Sequence, residues 1–224
     1  MSRRREIVFL DVGGPIYDDV WYARALLGAL RELGAEVTEE DFWREYDGCR
    51  RAQAGIRRAL AARFLGAGAD VVELSARARR RWRYPPEALY ADVRPALERL
   101  ASRYRLGVLA NQPDTTRSAL ERDGIALLFD VWVISDEIGR EKPDPRIFAH
   151  ALSVAGCEAG EATYVGNRLD IDIRPAKSAG LRSVWILRGE APPEPTAEQL
   201  AEPDAVIRSL AELPDALERL AVAR

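Results

Sequence analysis

The sequence predicts an α/β fold in which a doubly wound parallel sheet carries a helical insertion after its first strand. Five short apolar runs rich in β-branched and aromatic residues recur along the chain, and helical segments separate them. Apolar runs without polar alternation are typical of strands buried on both faces of a parallel sheet. Strands that alternate with helices indicate the doubly wound arrangement.

The predicted strands cover residues 7–10, 106–110, 131–134, 163–165 and 183–187, with a further edge strand at 205–207. Helical patterns follow or precede most of them, at 92–100, 115–122, from Asp172 to Gly180 and at 210–222. Asp144 and Pro145 predict the start of another helix as N-cap and first-turn proline, and Gly156 predicts its end. Residues 191–203 hold several prolines and are predicted to form a loop.

A long segment without strand patterns separates the first two predicted strands. Helical periodicity predicts helices over 20–33, from Phe42 after a capping signal at Thr38, over 56–65 and over 70–84. We therefore expect a core formed by residues 1–17 and 88–224 and a helical insertion formed by residues 18–87. A long loop with its own helices on an α/β core usually covers the active site.

Composition excludes several functional classes. The chain has 224 residues, enough for a core with one insertion, and its formal net charge of −3 argues against a general nucleic-acid binder. It has two cysteines without a CxxC spacing, and His150 is its only histidine, so cysteine or histidine zinc sites and Ser-His-Asp triads are not expected. No apolar run approaches the roughly 20 residues that span a bilayer. We expect a cytoplasmic protein without membrane or nucleic-acid partners. The sequence does not indicate an oligomeric state.

Polar residues stand where the predicted strands end. Asp11 follows the first strand, Asn111 the second and Asn167 the fourth, while Lys142 lies in the loop that leaves the third. Ligands of open parallel sheets bind beyond the carboxyl ends of the strands, so these four side chains are expected to meet in one crevice. Lys142 is one of only two lysines among 33 basic residues, which indicates a position that needs a compact ammonium group.

Four segments in order resemble the motifs of the haloacid dehalogenase-like hydrolase superfamily. They are Asp11-Val-Gly-Gly-Pro, Val108-Leu-Ala-Asn111, Gly139-Arg-Glu-Lys142-Pro-Asp-Pro-Arg-Ile-Phe148 and Val165-Gly-Asn-Arg-Leu-Asp-Ile-Asp172. The resemblance covers residues 6 to about 188. It implies a Rossmann-like catalytic core, and it identifies the insertion at 18–87 as a helical cap between motifs one and two.

The resemblance also implies roles for individual residues. Asp11 is expected to be the nucleophile that forms an aspartyl-phosphate, with Lys142 and Asn111 completing the catalytic set. The residues expected to contact substrate are Gly14, Ala110, Asn111 and Gln112. The expected ligands of a Mg²⁺ ion are Asp11, the backbone carbonyl of Gly13, Asn167 and Asp172.

Three positions depart from the phosphatase pattern of the family. Gly13 stands where an acid/base aspartate is usual, Ala110 where a serine or threonine is usual, and Asn167 where an aspartate is usual. A positioned general acid/base contributes roughly 10²–10⁴-fold. We therefore expect a magnesium-assisted phosphatase for a small phosphorylated metabolite, with a weakened metal site, reduced activity and a preference for good leaving groups.

Two alternatives stay open on the sequence alone. A metal-independent 2-haloacid dehalogenase needs no proton donor, because halide leaves already charged, and Asn167-Arg-Leu-Asp170 resembles the motif of that branch. A non-hydrolytic protein that binds a phosphorylated ligand or a partner protein would explain the altered positions differently. Magnesium-dependent phosphate release, metal-free halide release and binding without turnover distinguish the three hypotheses.

Overall fold

The computed structural model describes residues 6–222, which form a six-stranded parallel sheet flanked by helices. The strands are β1 (Ile7–Leu10), β2 (Arg105–Ala110), β3 (Val131–Ile134), β4 (Ala162–Gly166), β5 (Arg182–Ile186) and β6 (Ala205–Ile207). Their order is β3-β2-β1-β4-β5-β6. The chain runs from β1 to one edge and then returns to β4 on the other side of β1, so β1 and β4 flank the topological switch point. The predicted fold class is confirmed.

Helices connect these strands throughout the described residues. The α-helices are α1 (Val20–Glu32), α2 (Glu39–Ala52), α3 (Ile56–Leu65), α4 (Val71–Arg81), α5 (Val93–Ala101), α6 (Thr116–Arg122), α7 (Ser135–Ile138), α8 (Pro145–Ala155), α9 (Arg174–Ser178), α10 (Ala197–Ala201) and α11 (Leu213–Val222). A π-helical turn, Leu169–Ile173, leads into α9. Across residues 6–222, no helix is both long enough and apolar enough to cross a membrane.

Local capping explains where the helices differ from the sequence prediction. Helix α2 begins at Glu39 rather than Phe42, because the Thr38 hydroxyl accepts a hydrogen bond from the backbone amide of Asp41 and caps the first turn. Helix α10 lies in the segment predicted to be a loop. There, Thr196 and Gln199 form a reciprocal capping box, which stabilises the start of a helix of only five residues.

The two faces of the sheet bury alternate residues of each strand. In β1, Val8 and Leu10 belong to the apolar cluster that includes residues of α5, α6 and α11, whereas Ile7 and Phe9 pack with residues of α8. Side chains of successive strand residues point to opposite faces, so a strand covered on both sides reads as a continuous apolar run. Burial on both faces is the physical basis of the apolar runs in the sequence.

Helices α1 to α4, which follow β1, bury an apolar cluster of their own. Leu26, Leu30, Phe42, Leu60 and Leu74 are among its members, and each is 0% exposed. Helix α1 packs against α4, and α2 packs against α3. The domain boundaries predicted for the core also include residues 1–5 and 223–224, which lie outside the described residues.

Gly107 provides a test of strand packing in the core. A Cβ atom at Gly107 would lie 2.5 Å from Cδ1 of the buried Phe9 ring, its register partner in β1. We expect Gly107→Ala to lower the free energy of unfolding by about 1–3 kcal/mol through overpacking. Gly48 in α2 has nothing within 4 Å of its added Cβ, so Gly48→Ala is expected to raise that free energy by about 0.5–1 kcal/mol. Urea denaturation measures both, and equal effects would contradict the packing argument.

Candidate active site

The carboxyl ends of β1 and β2 bring three of the predicted residues into direct contact. Lys142, in the loop between α7 and α8, places its Nζ 3.0 Å from Oδ2 of Asp11. Asn111 holds the main chain of Lys142 on both sides: its Nδ2 donates to the Lys142 carbonyl at 2.8 Å, and its Oδ1 accepts from the Lys142 amide at 2.7 Å. The amide group of Asn111 therefore positions the lysine beside Asp11.

The ammonium group of Lys142 is surrounded by acceptors. Besides Asp11, its Nζ donates to Oδ1 of Asp172 at 2.6 Å and to the Tyr164 hydroxyl at 2.6 Å. The side chains of Lys142 and Asp172 are both 0% exposed. The Tyr164 hydroxyl donates in turn to the backbone carbonyl of Leu109 at 3.0 Å. Three acceptors match the three N–H bonds of an ammonium group, so the lysine is fixed in one position.

Burial and the neighbouring charges shift the pKa values of Asp11 and Lys142. Burial raises the pKa of Asp11 to about 6, an effect increased by the negative charge of Asp172 and opposed by Lys142. Burial alone would lower the pKa of Lys142, but Asp11 and Asp172 together hold it above the ordinary value. The lysine is therefore an ammonium ion at neutral pH. Asp11 is still ionised there, with its Oδ1 accepting from the Val12 amide at 2.8 Å.

The residues predicted to bind Mg²⁺ are engaged with other groups. Asp172 accepts from Lys142 through Oδ1 and from the backbone amide of Arg168 through Oδ2, at 3.0 Å. The side-chain amide of Asn167 donates to Asp19 at 2.7 Å and to the Arg188 carbonyl at 3.1 Å. Within residues 6–222, no group of three or more acidic, histidine or cysteine side chains is placed to hold a metal ion. In this arrangement, Asp172 and Asn167 could bind a metal ion only by giving up hydrogen bonds that they now make.

Gly14 makes room for the Asn167 side chain. Its φ of 84° lies in the left-handed region, and a Cβ atom there would lie 2.1 Å from Nδ2 of Asn167. Both facts require glycine at this position. The Gly14 carbonyl accepts from Nε of Arg188 at 3.0 Å, so this backbone is tied to the loop after β5.

A cavity opens above Asp11 between the sheet and the inserted helices. Its floor includes Asp11, Gly13, Asn111, Gln112 and Asn167. The aromatic side chains of its walls are Tyr17, Tyr22, Trp82 and Tyr84, and the cationic ones are Arg57, Arg79 and Arg168. Ile56, Pro113 and Ile171 complete the walls. The arginines contributed by α3 and α4 suit an anionic ligand, and the aromatic rings give it an apolar wall.

Asp19 and Glu190 also line this cavity. Oδ2 of Asp19 accepts from Nδ2 of Asn167 at 2.7 Å and from the Glu190 amide at 3.0 Å. Burial raises the pKa of Asp19 well above its ordinary value, and the negative charges of Glu190 and Asp11 raise it further. The carboxyl of Asp19 therefore favours its protonated form more than an exposed aspartate does.

The inserted helices are tied to the loop after β5 by hydrogen bonds. Gln53, the residue directly after α2, donates from Nε2 to the Glu190 carbonyl at 2.9 Å and accepts at Oε1 from the Leu169 amide at 2.9 Å. The Tyr46 hydroxyl donates to Oε1 of Glu190 at 3.1 Å. These contacts position the roof of the cavity over the strand ends.

The predicted substrate-binding residues differ in their placement. Asn111 and Gln112 line the cavity, and Oε1 of Gln112 accepts from the Tyr84 hydroxyl at 2.8 Å. Gly14 and Ala110 are buried and are not among the residues that line the cavity, and Ala110 is 0% exposed.

Sequence reasoning missed Asp19, Tyr164 and the cavity arginine Arg57. Tyr164 reads as one more aromatic residue of a buried strand, and its hydroxyl has no sequence signal. Asp18 and Asp19 read as ordinary acidic residues before a helix. Only the path of the chain between β1 and α1 shows that Asp19 turns back towards the strand end.

Known proteins resemble this chain in sequence and in fold. Residues 6–180 match the family model of haloacid dehalogenase-like hydrolase. A phosphoserine phosphatase from Thermus thermophilus is 39% identical over 137 residues, which cover 60% of this chain and 52% of that protein. The chain spans about half the length of the curated relatives it matches first.

Two solved structures match nearly the whole chain. A HAD phosphatase from Thermococcus onnurineus is 26% identical with a TM-score of 0.61, covering 95% of this chain and 97% of that one. A 2-haloacid dehalogenase from Pseudomonas syringae is 27% identical with the same TM-score of 0.61, covering 96% and 99%.

Proposed function

The chain belongs to the haloacid dehalogenase-like hydrolase family, and we propose that it is a phosphatase that uses Asp11 as its nucleophile on a small phosphorylated metabolite. The observation that carries the proposal is the ion pair of 3.0 Å between Asp11 and Lys142 on the cavity floor. The curated relatives named phosphoserine phosphatase and glyceraldehyde 3-phosphate phosphatase support phosphate esters as the substrate class.

Asp11 is held for attack through both of its oxygens. The Val12 amide binds Oδ1 and the Lys142 ammonium binds Oδ2, so the carboxylate has one orientation towards the cavity. In the first step, a carboxylate oxygen attacks phosphorus while the ester oxygen leaves, giving an aspartyl-phosphate. Water then hydrolyses that intermediate and restores Asp11.

Lys142 offsets the repulsion between nucleophile and substrate. A phosphate dianion approaching Asp11 meets a fixed positive charge that needs no reorganisation during the reaction. Asn111 contributes by holding the main chain of that lysine, and Asp172 and Tyr164 hold its ammonium group. We assign Gln112 to substrate contact, because it lines the cavity beside Gly13.

The insertion at 18–87 is assigned as the cap that selects the substrate. It supplies Tyr22, Arg57, Arg79 and Trp82 to the cavity opposite Asp11. An anionic group on the substrate beyond the phosphate would face the arginines of this cap.

Placement in the cytoplasm stays a prediction from cysteine usage.

Magnesium dependence stays a prediction. Asp172 and Asn167 would have to exchange their present partners to bind it. Activity that is lost in EDTA and restored by Mg²⁺ would support that exchange, whereas activity that is unchanged in EDTA would contradict the predicted ligand set.

The test is phosphate release from a panel of aryl, acyl and alkyl phosphates, with and without Mg²⁺. Release of phosphate supports the phosphatase. Chloride release from 2-chloropropionate without phosphatase activity would instead support the dehalogenase hypothesis. Binding of phosphorylated compounds without turnover would support the non-hydrolytic hypothesis.

A further inference from the structure

A carboxyl group already occupies the space beside Gly13. A Cβ atom added at Gly13 would lie 2.6 Å from Oδ1 of Asp19 and 3.7 Å from its Cγ. Real Cβ atoms do not approach an oxygen so closely, so a side chain at position 13 would require the Asp19 carboxyl to move from its present position. Gly13 lies two residues after Asp11 and lines the same cavity as Asp19.

The surroundings of Asp19 hold its carboxyl in this orientation. Both hydrogen bonds that the described residues donate to its side chain reach Oδ2, from Asn167 at 2.7 Å and from the Glu190 amide at 3.0 Å. Oδ1 is the oxygen that faces Gly13. A second glycine makes room on the other side, because a Cβ at Gly189 would lie 2.4 Å from Oδ2.

We propose that Asp19 is the catalytic acid/base of this enzyme and replaces the carboxyl that Gly13 lacks. The inference rests on the proposed phosphatase function and assigns it a further residue. The carboxyl comes from the residue preceding α1 instead of from the strand-end loop itself, and it lines the same cavity as Asp11.

The proton balance of the two steps assigns Asp19 one role in each. As an oxygen of Asp11 attacks phosphorus, the bond from phosphorus to the ester oxygen breaks. The electron pair goes to that oxygen, which takes the proton of Asp19 and leaves as an alcohol. In the second step, water attacks phosphorus and gives a proton to the Asp19 carboxylate while the bond from phosphorus to Asp11 breaks. Inorganic phosphate leaves, and both aspartates return to their starting states.

This assignment changes the expected substrate range. With Gly13 alone, only phosphates with good leaving groups are expected to react well. A positioned carboxyl extends the range to alkyl phosphates, whose poor leaving groups need a proton.

The experiment compares p-nitrophenyl phosphate with a set of alkyl phosphates, including glycerol 2-phosphate, on wild type and Asp19→Asn. We expect kcat/KM for alkyl phosphates to fall about 10²–10⁴-fold in the variant, and to fall far less for the aryl phosphate. Because the second step also loses its base, mixing the variant with p-nitrophenyl phosphate should give a burst of p-nitrophenol. Asp18→Asn is the matched control, since Asp18 caps the Val20 amide at 3.0 Å and precedes the same helix.

A swap of the two positions tests the shared space. Gly13→Asp alone is expected to lose activity, because the new side chain meets Asp19. Gly13→Asp combined with Asp19→Ala is expected to recover alkyl phosphate hydrolysis relative to Asp19→Ala alone. Recovery would also exclude misfolding as the cause of the single-variant loss.

The remaining outcomes contradict either the role of Asp19 or the phosphatase function. A wild type that hydrolyses p-nitrophenyl phosphate but no alkyl phosphate would overturn the role of Asp19 and leave the phosphatase proposal standing. So would equal losses for aryl and alkyl phosphates in Asp19→Asn, or no loss at all. A wild type that releases no phosphate from any compound would overturn the phosphatase proposal itself, and the role of Asp19 with it.

Discussion

Asp11→Asn is expected to reduce phosphate release by about 10⁴-fold or more, to the background of the assay. An amide is not a nucleophile towards phosphorus, so the aspartyl-phosphate cannot form. The substitution keeps the size of the side chain, and Asn at this position still accepts from the Val12 amide. Steady-state phosphate release by wild type and variant at equal concentration is the measurement.

The same variant is expected to fold as stably as the wild type. Burial raises the pKa of Asp11 to about 6 from an ordinary value of 3.8, so at neutral pH its charged form is less favourable in the folded protein than in the unfolded chain. A neutral amide at position 11 removes the free-energy cost of burying that charge, while Lys142 keeps its ion pair with Asp172 at 2.6 Å. Equal or higher stability in urea denaturation would separate loss of chemistry from loss of fold. Turnover that persisted in Asp11→Asn would contradict Asp11 as the nucleophile.

The sheet and its strand ends could be predicted because they follow from local sequence. Strands buried on both faces must be apolar throughout, and parallel strands present their carboxyl ends at one edge. Asp11, Asn111 and Lys142 therefore meet in the structure as their positions in the sequence predict. Helix α3 has the bounds that its periodicity predicts, Ile56–Leu65.

The residues that were missed depend on tertiary contacts. Asp19 reaches Gly13 because the chain after β1 folds back and the loop after β5 supplies the Glu190 amide, which no local pattern encodes. Tyr164 contributes through one hydroxyl on an otherwise apolar strand. Helix α10 is too short for periodicity to show, and only its capping box marks it. The reduced activity expected from the missing acidic residue at position 13 stays a prediction, and the Asp19 carboxyl lies in the space beside Gly13.

Lys142→Met is expected to have the largest effect on stability. The lysine is the buried positive charge between Asp11 and Asp172, and its removal leaves two carboxylates close together without it. Breaking a buried ion pair by removing one partner costs about 3–5 kcal/mol. We expect the free energy of unfolding to fall by that amount in urea denaturation, and phosphate release to fall with it because the substrate loses its fixed counter-charge.

Comparison variants test whether charge is the cause. Lys177, the other lysine of the chain, pairs with Asp204 at 3.0 Å with side chains 40% and 33% exposed, so Lys177→Met is expected to cost less than about 1 kcal/mol. Asp172→Asn leaves the Lys142–Asp11 pair in place and is expected to cost about 1–3 kcal/mol. In the double variant Lys142→Met/Asp172→Asn, only one buried carboxylate remains to be neutralised. The double variant should therefore lose less free energy of unfolding than the two single variants lose together, by roughly 0.5–3 kcal/mol. Strict additivity would show that Lys142 stabilises the fold by packing alone, and the electrostatic account of the site would then be wrong.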